Sequence, residues 1–124
     1  MKFKEALQAA GLVKPGRTTW SGTRPDGQTV FTIWDHETVE IEGRLFTSWY
    51  HSGPLTSGRL GTARAYVRRA KKNIGVPCRA VILTKNSAGG VGSAEYPHPK
   101  MARVLFRFVD EEALQYSAEL LPPA

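Results

Sequence analysis

The sequence predicts an α+β domain, with helices packed on one face of an antiparallel sheet of about six strands. Three observations carry this. Residues 57–74, SGRLGTARAYVRRAKKNI, repeat their apolar members at helical spacing. Segments on either side of that stretch alternate with a period of two, and Gly, Pro and Asp punctuate them. A strongly curled sheet or a partly closed barrel would use the same pattern. At 124 residues the chain is sized for one domain, residues 1–124, rather than two cores.

Taken in order, residues 2–10 form a short amphipathic helix with Phe3, Leu7 and Ala10 on one side, and Gly11 stops it. Lys14-Pro15-Gly16 is a loop. From Thr18 the period becomes two. Thr18–Gly22 and Gln28–Asp35 read as strands joined through Pro25-Asp26-Gly27, where proline presets φ and glycine supplies φ > 0. Thr38–Ile41 and Leu45–His51 make a second hairpin around Glu42-Gly43-Arg44, so the first half is expected to be a four-stranded antiparallel meander.

Ser52-Gly53-Pro54 interrupts the chain before the central helix. There Leu60, Ala63, Val67, Ala70 and Ile74 fall at steps of three and four. At about 100° per residue, Arg64, Arg68, Lys71 and Lys72 gather away from that stripe, with Arg59 and Arg69 on its flanks. Gly75 suits a left-handed cap, and Pro77 cannot continue the helix.

Cys78–Thr84 and Arg103–Val109 are two more strands. In the second, Val104, Phe106 and Phe108 read as the core side, and Arg103, Leu105 and Arg107 as the outer side. Between them, residues 85–100 are rich in Gly, Ser and Pro and read as a long flexible loop. Asp110 is placed to cap a last short helix, Glu111–Ser117, and residues 121–124 are a tail.

Charge is unevenly spread. No acidic residue occurs between Glu42 and Glu95, and that 52-residue block carries +9 while the rest of the chain carries −3. Solvated faces normally mix signs, so a run of one sign points to an anionic partner. With a pI near 9.8, nucleic acid is the expected partner, and an acidic protein the alternative. A different role for the block would be to pair with Asp35, Glu37, Glu40 and Glu42, should they lie beside the helix. A hydrophobic content of 41% with 23% charged residues is ordinary for a folded protein and argues against disorder. A single cysteine, Cys78, permits no internal disulfide and no zinc cluster, so a reducing, cytoplasmic setting is expected. The N-terminal MKFKEALQAAGL has no apolar core of signal-peptide type, and no apolar run is long enough to span a membrane.

The expected function is therefore a small basic nucleic-acid-binding domain. Phosphate contacts are assigned to Arg59, Arg64, Arg68, Arg69, Lys71 and Lys72 of the helix, to Arg103 and Arg107 of the last strand, and to Lys85. Trp34, Trp49 and Tyr50 are the candidates for base stacking, because aromatics occur on both faces of the expected meander. The bland alternative is that these rings and Trp20 fill a small core, and a pocket lined by two tryptophans could equally hold a flipped base. Thr56, Ser57 and Gly58, at the start of the helix, form a candidate phosphate site backed by the helix dipole, with a plain N-cap as the simpler role.

No cofactor is expected: GxxxxGK[ST] is absent, and the glycine-rich 85–93 segment lacks GxGxxG. That segment, with Lys85 and Lys100 at its base, is either a flexible connection or a flap over a bound strand. Catalysis is not expected. Asp35, Glu37, Glu40 and Glu42, with Asp26, are the carboxylates that could bind a divalent metal in a metal-dependent nuclease, the second alternative, but in Glu40-Ile41-Glu42-Gly43-Arg44 an arginine stands where that pattern needs lysine, at the wrong step. His36, His51 and His98 show no metal-ligand spacing, and Cys78 reads as small core filler.

Overall fold

A computed structural model describes residues 1–16, 19–50 and 57–124, leaving aside the side chains of Tyr50 and Ser57. After α1 (Phe3–Ala9) come β1 (Ser21–Thr23), β2 (Thr29–Trp34), a single 3-10 turn (Asp35–Glu37), β3 (Thr38–Ile41) and β4 (Arg44–Tyr50). Next are α2 (Ser57–Lys72), β5 (Cys78–Lys85), β6 (Val91–Glu95), β7 (Arg103–Asp110) and β8 (Gln115–Leu121). The result is an α+β domain with one sheet of eight strands in the order β1-β2-β5-β7-β8-β4-β3, β6 pairing with β5. The strands β1 and β3 end the sheet without meeting, so it is not a closed barrel.

Both expected hairpins form, β1 with β2 and β3 with β4, although β1 is Ser21–Thr23 rather than the expected Thr18–Gly22, whose Thr18 lies outside the described residues. The expected meander does not form. β2 runs parallel to β5, while the β3–β4 hairpin docks on β8 at the far end of the sheet. Burial explains the choice. Val30 to Ile33 of β2 and Ala80 to Leu83 of β5 are buried without a break. Strands covered on both faces take interior positions beside a parallel neighbour. By contrast, β3 leaves Val39 and Ile41 exposed and serves as an edge.

The two helices cover opposite faces of the sheet rather than one. On one face α1 seats Ala6, Leu7 and Ala10 against Val30, Val81, Leu83 and Ala94. Gly11 follows at φ 106, close enough to Arg24 that a Cβ there would lie 2.3 Å from its Nε. On the other face α2 buries Ala63, Tyr66, Val67 and Ala70. Phe31, Tyr66, Phe106 and Tyr116 meet there, with Phe31 edge-on to Phe106 at 4.7 Å and Tyr66 stacked on Tyr116 at 5.5 Å. Each fully buried side chain of this size contributes roughly 1.5–3 kcal/mol. The helix ends at Lys72, so Ile74 lies beyond the stripe and is exposed, and Gly75 takes the left-handed φ of 78 that the cap requires.

Three expectations in the second half are corrected. Residues 85–100 are not one loop: β6 folds back on β5, held by backbone pairing although only Ala94 of it is buried. The expected helix Glu111–Ser117 is a turn followed by β8. Asp110 Oδ1 accepts from the Ala113 N–H at 3.0 Å, Leu114 turns the chain at φ 52, and Tyr116, Ala118 and Leu120 then alternate into the core. The demand of β7 and β4 for a strand between them overrides the helical propensity of Glu, Ala and Leu. Finally, a bulge between Phe106 and Phe108 inserts Arg107 as an extra residue. The phase flips there, so Phe108 is 52% exposed on the outer face and Val109 packs inward in its place.

Candidate functional site

The chain's three tryptophans are far apart in sequence, yet all line one cleft of about 660 Å³. Its position follows from where β1 stops. β1 pairs only with Thr29 to Phe31, and a last link joins Thr32 to Trp20. The Thr32 N–H and hydroxyl both donate to the Trp20 carbonyl, at 2.9 and 2.7 Å, which fixes Trp20 beside the end of β2. Past this point no described strand borders β2 on that side, and the cleft opens around the strand end.

The walls come from several elements. Trp49 of β4 stacks on Tyr116 of β8, centroids 6.1 Å apart, and Tyr116 stacks on Tyr66 of α2. The Tyr66 hydroxyl donates to the Thr32 carbonyl at 2.8 Å. Burial pushes both phenols well above their ordinary range, so they stay neutral hydrogen-bonding groups. Trp34 ends β2 on the α1 side, tilted against His36 at 5.4 Å. Gly89 and Gly90, at the tip of the β5–β6 hairpin, close the cleft from that side. The tip is internally braced: the Asn86 Oδ1 accepts from the Ala88 and Gly90 N–H groups at 3.0 and 2.9 Å.

Glu37 supplies the one carboxylate among the described residues that line the cleft. It sits in the 3-10 turn after β2, half-buried, and desolvation pushes its carboxyl above the ordinary value while His36 opposes the shift. No hydrogen bond reaches that carboxylate from a described residue, although its backbone carbonyl accepts from the Thr47 hydroxyl at 3.3 Å. Arg59 and Thr62, from the first turns of α2, complete the lining.

From the cleft the basic residues run outward along α2. Arg64, Arg68, Lys71 and Lys72 are exposed, and none forms an ion pair among the described residues. The acidic segment does not pair with them. Asp35 meets Thr84 at 3.4 Å, Glu37 faces the cleft, and Glu40 and Glu42 are exposed at the edge hairpin. Arg69 turns inward instead, donating to the Ser21 hydroxyl at 2.8 Å and tying α2 to β1. Lys85 is exposed at the base of the braced hairpin.

Arg103 and Arg107 lie on the opposite side of the sheet from α2. Their neighbours Val104 and Phe106 are the residues that face the helix. Arg103 Nε donates to the Pro122 carbonyl at 2.8 Å. Arg107 and Arg44 both bond the buried Glu119, each with a 2.6 Å contact, and Arg44 also lies over the Phe46 ring at 5.3 Å. The hydrogen bonds from Arg44 and then Arg107 hold the Glu119 carboxyl at about 2, against an ordinary 4.5. The two basic surfaces assigned from sequence are thus separate, and the sheet-face arginines already serve a carboxylate.

Thr56 lies outside the described residues, as do residues 51–55 before it and the side chain of Tyr50. Ser57 and Gly58 begin α2, and the Ser57 side chain is likewise outside the description. Sequence reasoning singled out Trp34, Trp49 and Arg59 of the cleft but missed Glu37, Tyr66 and Tyr116 as members. The available signal was positional: Trp34 and Trp49 stand at strand ends, where side chains converge on the rim of a sheet. Among the described residues no three His, Cys, Asp or Glu side chains come together as a metal group. The Cys78 thiol is buried and pushed up to about 11, the protonated and unreactive form. No described helix is long and apolar enough to cross a membrane. No family model, no curated protein and no solved structure matches this chain.

Proposed function

We propose that this chain is a binding domain for single-stranded nucleic acid, with the phosphate backbone along the outer face of α2 and a base in the tryptophan-lined cleft. The observation that carries the reading is the joining of two features that are separate in sequence. The exposed row Arg64, Arg68, Lys71 and Lys72, without ion pairs among the described residues, belongs to the same helix whose first turns line an aromatic cleft. Single-strand binders combine a cationic track with aromatic platforms, each stacked base contributing about 1–3 kcal/mol. A cleft of 660 Å³ falls in the size range of small-ligand sites, enough for one base and its surroundings. A single strand is favoured over a duplex because a stacked base pair cannot present a ring face to a cleft of this kind.

Fluorescence anisotropy with labelled single-stranded and duplex oligomers at three salt concentrations tests this. Four phosphate contacts, one from each residue of that row, predict a slope of about −3 in log affinity against log salt for a single strand. Absence of saturable binding near physiological salt contradicts the reading.

A second reading has an observation of its own. The sheet face away from α2 exposes Phe108, Val39 and Ile41 beside the Arg44–Glu119–Arg107 group. A mixed apolar and charged face of this kind suits a protein-interaction module or inhibitor. Saturable binding to a protein, with only weak and non-saturating binding to nucleic acid, would favour it.

A further inference from the structure

The cleft contains a feature that general base stacking does not use. The Glu37 carboxylate lines it, half-buried, and no described residue donates a hydrogen bond to it. The hydroxyl closest in role, that of Tyr66, is already spent on the Thr32 carbonyl at 2.8 Å. A carboxylate partly removed from water is costly until donors reach it, and when ionised it can only accept, through two oxygens side by side. A ligand that completes the cleft must therefore bring a flat aromatic ring for the tryptophans and two adjacent N–H donors for Glu37.

Resting on the reading above, we infer that the cleft selects one unpaired guanine, its N1–H and N2–H donating to the two Glu37 oxygens while its ring stacks among the tryptophans. Guanine alone among the common bases carries two adjacent donors on its pairing edge. Adenine and cytosine each set one amino group beside a ring-nitrogen acceptor, and uracil and thymine flank one N–H with two carbonyl oxygens. Those acceptors would face the carboxylate and be repelled. Purines also offer the larger stacking surface. A quaternary ammonium fits aromatic walls with a carboxylate equally well in principle. Here, however, Arg59 lines the same cleft, and the block from 43 to 94 carries +9, a field that repels cations and draws anionic ligands.

The test compares short single-stranded oligomers identical except for one central base, read by anisotropy at fixed salt. Guanine should bind about tenfold or more tightly than adenine, thymine or inosine, inosine lacking only the N2 amino group. Glu37→Gln keeps the side chain's shape and should shrink that preference to about threefold or less, while binding of the thymine oligomer tightens as the charge that repels its carbonyl oxygens is lost. Glu37→Ala, with its fold verified by circular dichroism, should give the same ranking as Glu37→Gln. Equal affinity for guanine and inosine, or a preference that survives both substitutions, overturns the inference. In that case salt-dependent binding of all the oligomers would leave the α2 reading standing. Failure of every oligomer to bind near physiological salt overturns both.

Discussion

The Tyr66 hydroxyl on α2 donates a 2.8 Å hydrogen bond to the carbonyl of Thr32 on β2, at the point where β1 no longer supplies a partner. That one bond joins the basic helix to the strand end around which the cleft opens. Tyr66 is 5% exposed, so the carbonyl it satisfies is shielded from water. Tyr66→Phe keeps the ring and removes only the hydroxyl. It should destabilise the fold by about 1–3 kcal/mol, the cost of an orphaned buried acceptor. Urea unfolding measures this, and a change well under 0.5 kcal/mol would mean that water replaces the phenol.

The β7 bulge makes a paired prediction. Phe106 is fully buried and Phe108 is 52% exposed, although sequence alternation puts both on one face. Phe106→Ala should cost about 3–5 kcal/mol. Phe108→Ala should cost about 0.5 kcal/mol or less, as for other surface positions. Comparable losses from the two would place both rings in the core and remove the bulge.

Glu119 predicts a pH dependence. Hydrogen bonds from Arg44 and Arg107 lower its carboxyl from 4.5 to about 2 in the folded state. A folded value below the unfolded one means the pairing stabilises the fold above about pH 4.5 and is lost as the pH falls toward about 2. Glu119→Gln should therefore flatten the fall in urea midpoint between those two pH values relative to the unaltered chain. Curves that stay parallel would assign the acid sensitivity to other carboxylates.

Much of this was legible from the residues, and the failures have physical causes. The central helix was readable because Ala63, Val67 and Ala70 keep one face while Arg64, Arg68 and Lys71 keep another, a pattern local to the helix. Both hairpins were readable from their turns. The partner of each hairpin was not, since pairing between strands such as β2 and β5 depends on burial from both sides, which alternation in one strand does not report. β8 was misread because Glu, Ala and Leu favour helix locally, while Tyr116, Ala118 and Leu120 were needed as a strand between β7 and β4. Of the candidate site, the charge was visible and its geometry was not. The inward turn of Arg69 to Ser21 and the gathering of Trp20, Trp34 and Trp49 are tertiary facts.

Charge reversal on α2 separates its outer face from the opposite face of the sheet. Arg64→Glu with Arg68→Glu should lower affinity for a single-stranded oligomer about 10- to 100-fold at physiological salt and make the salt slope shallower by about one to two. Both residues are exposed, so stability should change by about 0.5 kcal/mol or less. Unchanged affinity in a folded double variant would move the contact surface away from α2.

The central claim, that the basic helix and the aromatic cleft act together on nucleic acid, is tested most directly by tryptophan emission. All three tryptophans of the chain line the cleft, so a base entering it must alter their fluorescence. The unmodified protein would be titrated with a guanine-containing single-stranded oligomer at physiological salt, with anisotropy followed in parallel. The account predicts saturable quenching whose midpoint coincides with that of the anisotropy and which disappears at high salt. Saturating anisotropy with unaltered emission, or no response in either signal, would contradict it.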